Sequence, residues 1–179
     1  MRIHKVMVMG VAGCGKSTLA ARLATALDAE WIEGDDHPIG VGKATMRQGT
    51  AVQDADRKPW LTRLTTLLAA APGNAVLACA ALTRSDRAQL RAAVPRLRIV
   101  YVDIALADAI ARVSARGRHL FPPSLVLSQF AILEAPAGEP GVLQIPADQP
   151  VDTQVQQVLR WITEDTLRQD DDATQSEPV

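Results

Sequence analysis

Gly10-Val11-Ala12-Gly13-Cys14-Gly15-Lys16-Ser17 fits the pattern GxxxxGKS, and no other feature of the chain limits its fold so tightly. The motif works only between a strand and a helix, and both flanks are present. Residues 3–9 are apolar and β-prone, while Leu19, Leu23 and Leu27 repeat at helical spacing. Glycines let successive backbone N–H groups turn toward one anion, and the N-terminus of the following helix adds its partial positive charge. In such a loop Lys16 reaches the β- and γ-phosphates and the Ser17 hydroxyl holds Mg²⁺. Gly10, Ala12, Gly13, Cys14, Gly15, Lys16, Ser17 and Thr18 are therefore the candidate nucleotide-binding residues, for ATP or GTP. The motif does not name the phosphoryl acceptor.

The rest of the chain alternates in the same way. Trp31 and Ile32 form a short strand ending at Gly34-Asp35-Asp36. Residues 37–52 are glycine-rich and irregular, with one short helix expected around 43–47. Pro59 suits the first turn of a helix, so the helix carrying Trp60, Leu61, Leu64, Leu67 and Leu68 is expected to begin near Lys58, with Asp54, Asp56 and Arg57 just before it. Residues 75–82, a run of small apolar side chains, suit a central parallel strand covered on both faces. A helix over 85–94, a strand over 97–104, helices over 106–117 and 124–133, a strand over 142–145 and a helix marked by Val151, Val155, Val158 and Ile162 complete the pattern. Such alternation implies an α/β fold with a parallel sheet of about five strands and helices on both faces. One domain over residues 1–168 is expected. The remainder, 169–179, carries Asp170-Asp171-Asp172 with almost no apolar content and reads as a disordered acidic tail.

Composition sets limits on partners. The 179 residues carry 19 basic and 20 acidic side chains, a net charge of -1, which offers no positive field for a nucleic-acid backbone. Cys14 and Cys79 are too far apart for a metal site and have no CxxC partner, as expected of reduced thiols in a cytoplasmic protein. The apolar stretch before Gly10 is too short for a secretory signal core, and no run approaches the roughly 18 residues of a membrane span.

A kinase built on this loop also needs an acid near the transferred group. The 75–82 strand supplies none, whereas Asp35 and Asp36 end the second strand on the same carboxyl edge as the loop. Asp35 can accept a proton from an incoming hydroxyl or support Mg²⁺ through water; a turn aspartate is the alternative. Arg112, Arg116, Arg118 and His119 cluster before Pro122, where a mobile cationic cover would exclude water and meet charge on the γ-phosphoryl oxygens. Pairing of Arg112 with Asp108 is the simpler structural reading.

Further strings resemble one family. These are Glu33-Gly34-Asp35, Met46-Arg47-Gln48-Gly49, Asp54-Ala55-Asp56-Arg57-Lys58-Pro59-Trp60-Leu61, Cys79 through Arg84, Arg112 through His119, and Leu127-Ser128-Gln129-Phe130 with Leu133-Glu134. Together they resemble the small gluconate kinases, the thermoresistant gluconokinase family of P-loop kinases, over residues 5–162. The resemblance implies a P-loop kinase fold with a lid at about 116–123 and ATP- and Mg²⁺-dependent phosphorylation of D-gluconate at its 6-hydroxyl. It assigns Lys16, Asp35 and Arg116 to catalysis and adds Arg112 to the nucleotide site. It gives Arg57 and Arg84 the acceptor carboxylate and His119 a place in the lid beside the acceptor. Gln129 would hydrogen-bond sugar hydroxyls or pack in the core. Kinases of this architecture often pair, so a homodimer is one expected assembly.

The chain departs from the family pattern in the acceptor half. Gly42, Thr45, Ala80 and Thr83 stand where the family has Asn, Lys, Ser and Lys, and Asp86 stands where it has Tyr. Arg118-His119-Leu120 replaces the lid's Gly-His-Phe. Two other readings are therefore a kinase for a different small sugar acid or polyol, and a non-catalytic ATP-binding sensor.

Overall fold

A computed structural model describes residues 2–37, 54–115 and 122–175. Five strands form one parallel sheet: β1 (Lys5–Met9), β2 (Glu30–Glu33), β3 (Ala75–Ala78), β4 (Arg98–Asp103) and β5 (Val142–Pro146), in the order β2-β3-β1-β4-β5. Lys5 pairs with Ala75 and Val8 with Ala78 on one side of β1, while Val6 pairs with Arg98 and Met9 with Tyr101 on the other. A central strand covered on both faces has no use for alternation, and Val6, Met7, Val8 and Met9 are all fully buried.

The helices are α1 (Lys16–Ala26), α2 (Asp54–Ala70), α3 (Arg84–Ala93), α4 (Leu106–Ala115), α5 (Pro123–Ile132) and α6 (Val151–Gln175). The step from β1 to β2 and the return to β3 run in opposite directions across the sheet. Right-handed crossovers therefore put α1 and α2 on opposite faces. α1 packs on α6, α2 on α3, and α4 on α5. This order leaves the ends of β1, β2 and β3 side by side at the carboxyl edge, where α1 begins.

Three expected boundaries move. α2 starts at Asp54 rather than near Lys58, so Pro59 lies inside it. The missing amide costs one bond to the carbonyl of Ala55, close to the helix start, and the packing of Trp60, Leu61, Leu64 and Leu68 in the core outweighs it. β3 stops at Ala78 rather than Leu82, because the chain turns into a capping box at the start of α3: Thr83 Oγ1 accepts from Asp86 N–H and Asp86 Oδ2 accepts from Thr83 N–H. α6 continues through Gln175, beyond Gln169 where the acidic tail was expected to begin. Extending a helix already nucleated on the core adds one hydrogen bond per residue, which carries it into the polar segment. The helix expected at 43–47 and the lid core at 116–121 fall outside the described residues.

Candidate active site

The phosphate loop follows β1 and ends at Gly15, which is left-handed at φ 98° and precedes α1 with no side-chain cap. A Cβ at Gly15 would meet nothing within 4 Å. The first-turn amides of α1 thus have no side-chain cap, as an anion site requires. Lys16 is buried at the base of this turn, Ser17 is partly buried and Thr18 is exposed beside it. Cys14 N–H donates to the Val11 carbonyl and closes the loop. Burial pushes the Cys14 thiol up, with the Lys16 and Arg112 charges opposing, so this cysteine is a packing group.

The second strand delivers two carboxylates to the loop. Gly34 passes so close to β3 that a Cβ there would lie 2.6 Å from the Ala78 carbonyl oxygen, and Trp60 Nε1 donates to the Gly34 carbonyl at 3.1 Å. This clamp fixes Glu33 and Asp35 on either side of it. Glu33 lies near the Ser17 hydroxyl and, through Oε1, accepts from Asp35 N–H at 3.4 Å. Its Oε2 is buried without a partner. Burial raises the Glu33 carboxyl above its usual range, the nearby Ser17 hydroxyl opposes the shift, and the Asp35 charge adds to it. Asp35 itself is exposed.

A hydroxyl and an unpartnered carboxylate oxygen are the hard donors Mg²⁺ takes when phosphates and waters fill its remaining positions. Ser17 and Glu33 fit that ion. Among the described residues no group of three or more His, Cys, Asp or Glu could hold a metal.

The acceptor side is built around Cys79, fully buried just past β3, whose amide donates to the Val8 carbonyl. Burial drives its thiol far up, and the charges of Arg57, Lys16, Asp86 and Asp35 all act on it. The first helical turn of α2, the phosphate loop, the end of β2 and the start of α3 therefore converge at this point. Arg57 Nη2 donates to Asp86 Oδ2 at 2.7 Å and to the Ala80 carbonyl at 3.3 Å. Arg84 lies at the start of α3 with its side chain exposed and its amide donating to Glu134 Oε2 at 2.6 Å.

Two expected site residues have partners that the sequence did not indicate. Gln129 Oε1 accepts from Ala12 N–H at 2.6 Å, which ties α5 to the phosphate loop. Arg112 donates to the Ala147 carbonyl at 2.9 Å, not to Asp108, and stays near enough to the loop to act on Cys14. Arg116 and His119 lie outside the described residues. Glu33 is a candidate site residue to which the sequence assigns no role. Its signal was the i, i+2 spacing with Asp35 at a strand end.

Comparison with known proteins agrees with this geometry. A family profile described as an AAA domain matches residues 6–133. A gluconokinase of Gluconobacter oxydans (strain 621H) is 37% identical over 160 residues, covering 87% of this chain and 89% of that one. The thermoresistant gluconokinase of Escherichia coli (strain K12) is 32% identical over 163 residues, covering 89% and 93%. The crystal structure of a gluconokinase from Sinorhizobium meliloti 1021 superposes with a TM-score of 0.84 at 32% identity, over 97% of this chain and 98% of that one. An APS kinase of Mycobacterium tuberculosis, 22% identical with a TM-score of 0.67, shares the fold.

Proposed function

The chain belongs to the gluconokinase family, and from that premise we propose that it transfers the terminal phosphoryl group of ATP to the 6-hydroxyl of D-gluconate, forming 6-phosphogluconate and ADP. The observation that carries this reading is that Glu33, which accepts from the Asp35 amide, lies near Ser17 at the start of the uncapped helix turn. The acceptor oxygen attacks the γ-phosphorus in line, the bond to the β–γ bridging oxygen breaks, and the hydroxyl proton passes to the Asp35 carboxylate. Main-chain amides of Gly13, Gly15, Lys16 and Ser17 and the Lys16 ammonium hold the phosphates while charge develops on the transferred group. Bound Mg²⁺ would neutralise β- and γ-phosphate charge, held through Ser17 directly and Glu33 directly or through water.

Gln129 keeps Ala12, and with it the loop, in register with the helix that follows the lid. Arg112 and Arg116 would meet phosphate charge as the cover closes, with His119 toward the acceptor. Arg57 and Arg84 are the guanidinium groups available to the gluconate carboxylate. No helix among the described residues is long and apolar enough to cross a membrane, and two cysteines without a disulfide suit work in the cytoplasm.

The test is ADP release over a panel of gluconate, other aldonates, shikimate, glucose and nucleoside monophosphates. Turnover with gluconate, lost by a factor of about 10³ in Lys16→Ala and in Asp35→Asn while both stay folded, is the expected result. Preference for another acceptor would overturn the gluconate assignment. Tight ATP binding with no turnover on any acceptor would overturn the kinase reading.

A further inference from the structure

Arg57 is paired before any acceptor arrives. A guanidinium can grip a carboxylate with two parallel bonds along only two edges, Nε with Nη2 or Nη1 with Nη2. Nη2 belongs to both. In this chain the two Nη2 hydrogens go to Asp86 Oδ2 at 2.7 Å and to the Ala80 carbonyl at 3.3 Å. Each edge is left with one donor, so an acceptor carboxylate can take Arg57 in a fork only by displacing the Asp86 carboxylate from one edge or the Ala80 carbonyl from the other.

Asp86 does not swing away easily. Its Oδ2 also accepts from Thr83 N–H at 3.2 Å and its own amide donates to Thr83 Oγ1 at 3.1 Å, which makes it part of the first turn of α3. The pair is largely buried, the two side chains 14% and 15% exposed, so its charges are poorly screened. It also lies at the carboxyl edge of the sheet, since Arg57 donates to the carbonyl of Ala80, two residues past the end of β3.

We infer that Asp86 is a specificity-determining residue, which competes with the acceptor's carboxylate for Arg57 and so weakens binding of acid acceptors relative to neutral ones. A sugar acid meets an occupied guanidinium and a like charge beside it, whereas a polyol of the same length meets neither obstacle. This inference rests on the proposed sugar-acid acceptor docking at Arg57.

The test compares wild type, Asp86→Asn and the double variant Arg57→Ala/Asp86→Asn on gluconate and on sorbitol, its neutral counterpart. Asparagine keeps an oxygen for Thr83 N–H and loses only the charge; Asp86→Gln, a residue equally at home in a capping box, is the second variant should the first fold poorly. The expected result in Asp86→Asn is a KM for gluconate lower by about fivefold to tenfold, with the KM for ATP and any sorbitol turnover moved by less than about twofold. Measured against Arg57→Ala alone, the double variant must show no gain. An unchanged or higher KM for gluconate, or a gain that survives loss of Arg57, overturns the inference. If wild type phosphorylates no aldonate, the proposed function fails by itself. Gluconate binding measured by calorimetry with a non-hydrolysable ATP analogue then decides, tighter binding in Asp86→Asn supporting the competition and unchanged binding refuting it.

Discussion

Asp86 and Arg87 are consecutive residues in the first turns of α3, and each forms an ion pair, but the two pairs are built differently. Arg87 is fully buried with all five of its N–H donors engaged. Nε and Nη2 meet Glu139 at 3.1 and 2.5 Å, Nη1 meets the carbonyls of Ala81 and Leu82, and Nη2 also meets the carbonyl of Glu134. Arg91 adds a second cation on Glu139 at 2.8 Å. Arg57, by contrast, spends its bonds among the described residues on Nη2 alone. A guanidinium with every donor satisfied is a joint: it fastens α3 to the segment between α5 and β5. A guanidinium with one saturated corner and a partly exposed remainder can still receive a ligand.

The largest test of that contrast is Glu139→Ala. Removing the carboxylate leaves the Arg87 charge buried and unpaired, which costs about 3–5 kcal/mol. For a chain of this size that lowers Tm by roughly 10 °C or more, measured by calorimetry or circular dichroism. A shift of under about 3 °C would mean the joint carries no load. Acid probes the same joint without mutation. Hydrogen bonds from Arg87 pull the Glu139 carboxyl down to about 2 from 4.5. A depressed carboxyl contributes stability that is complete above its unfolded value and disappears as pH falls through the folded one. Wild type should therefore lose stability between about pH 4.5 and 2 more steeply than Glu139→Gln, in denaturant titrations at fixed ionic strength.

Arg57→Ala should show the opposite profile. Loss of a charge-assisted contact to the acceptor carboxylate predicts a kcat/KM for gluconate lower by about 30-fold, with the KM for ATP within about twofold and Tm changed by only a few degrees. Equal damage to both substrates, or a melting shift as large as that of Glu139→Ala, would show that Arg57 is a second structural joint.

The contrast also explains what could be read before the coordinates. The nucleotide half is contiguous in sequence, because its amides, lysine and serine must be neighbours to surround one phosphate, so Gly10 to Ser17 could be read directly. The parallel sheet was legible for a similar reason, since its inner strands are short unbroken apolar runs. The acceptor half is assembled from residues 29 apart in Arg57 and Asp86, and the loop is braced by residues 117 apart in Ala12 and Gln129. Side chains of Arg, Asp and Gln can serve substrate, cap or core equally well, and only the tertiary partner decides. The strand and helix ends around residues 79–86 were misplaced on the same ground: Ala80, Ala81 and Leu82 suit a strand by composition, but the capping box of Thr83 and Asp86 ends it.

That capping box yields the smallest and most discriminating prediction. Thr83 holds Asp86 through two reciprocal bonds, and Asp86 in turn holds Arg57. Thr83→Ala removes the hydroxyl that accepts from Asp86 N–H, a loss worth about 1 kcal/mol and about 2–4 °C in Tm. It leaves the Thr83 backbone bond to Asp86 Oδ2 and the Arg87 joint untouched. Because Asp86 is then less firmly placed, its grip on Arg57 loosens without disappearing, and the KM for gluconate should fall by less than about twofold, well short of the effect of Asp86→Asn. A lower Tm with a higher KM would mean that Asp86 orients Arg57 toward the acceptor, so that the two pairs differ in degree rather than in kind.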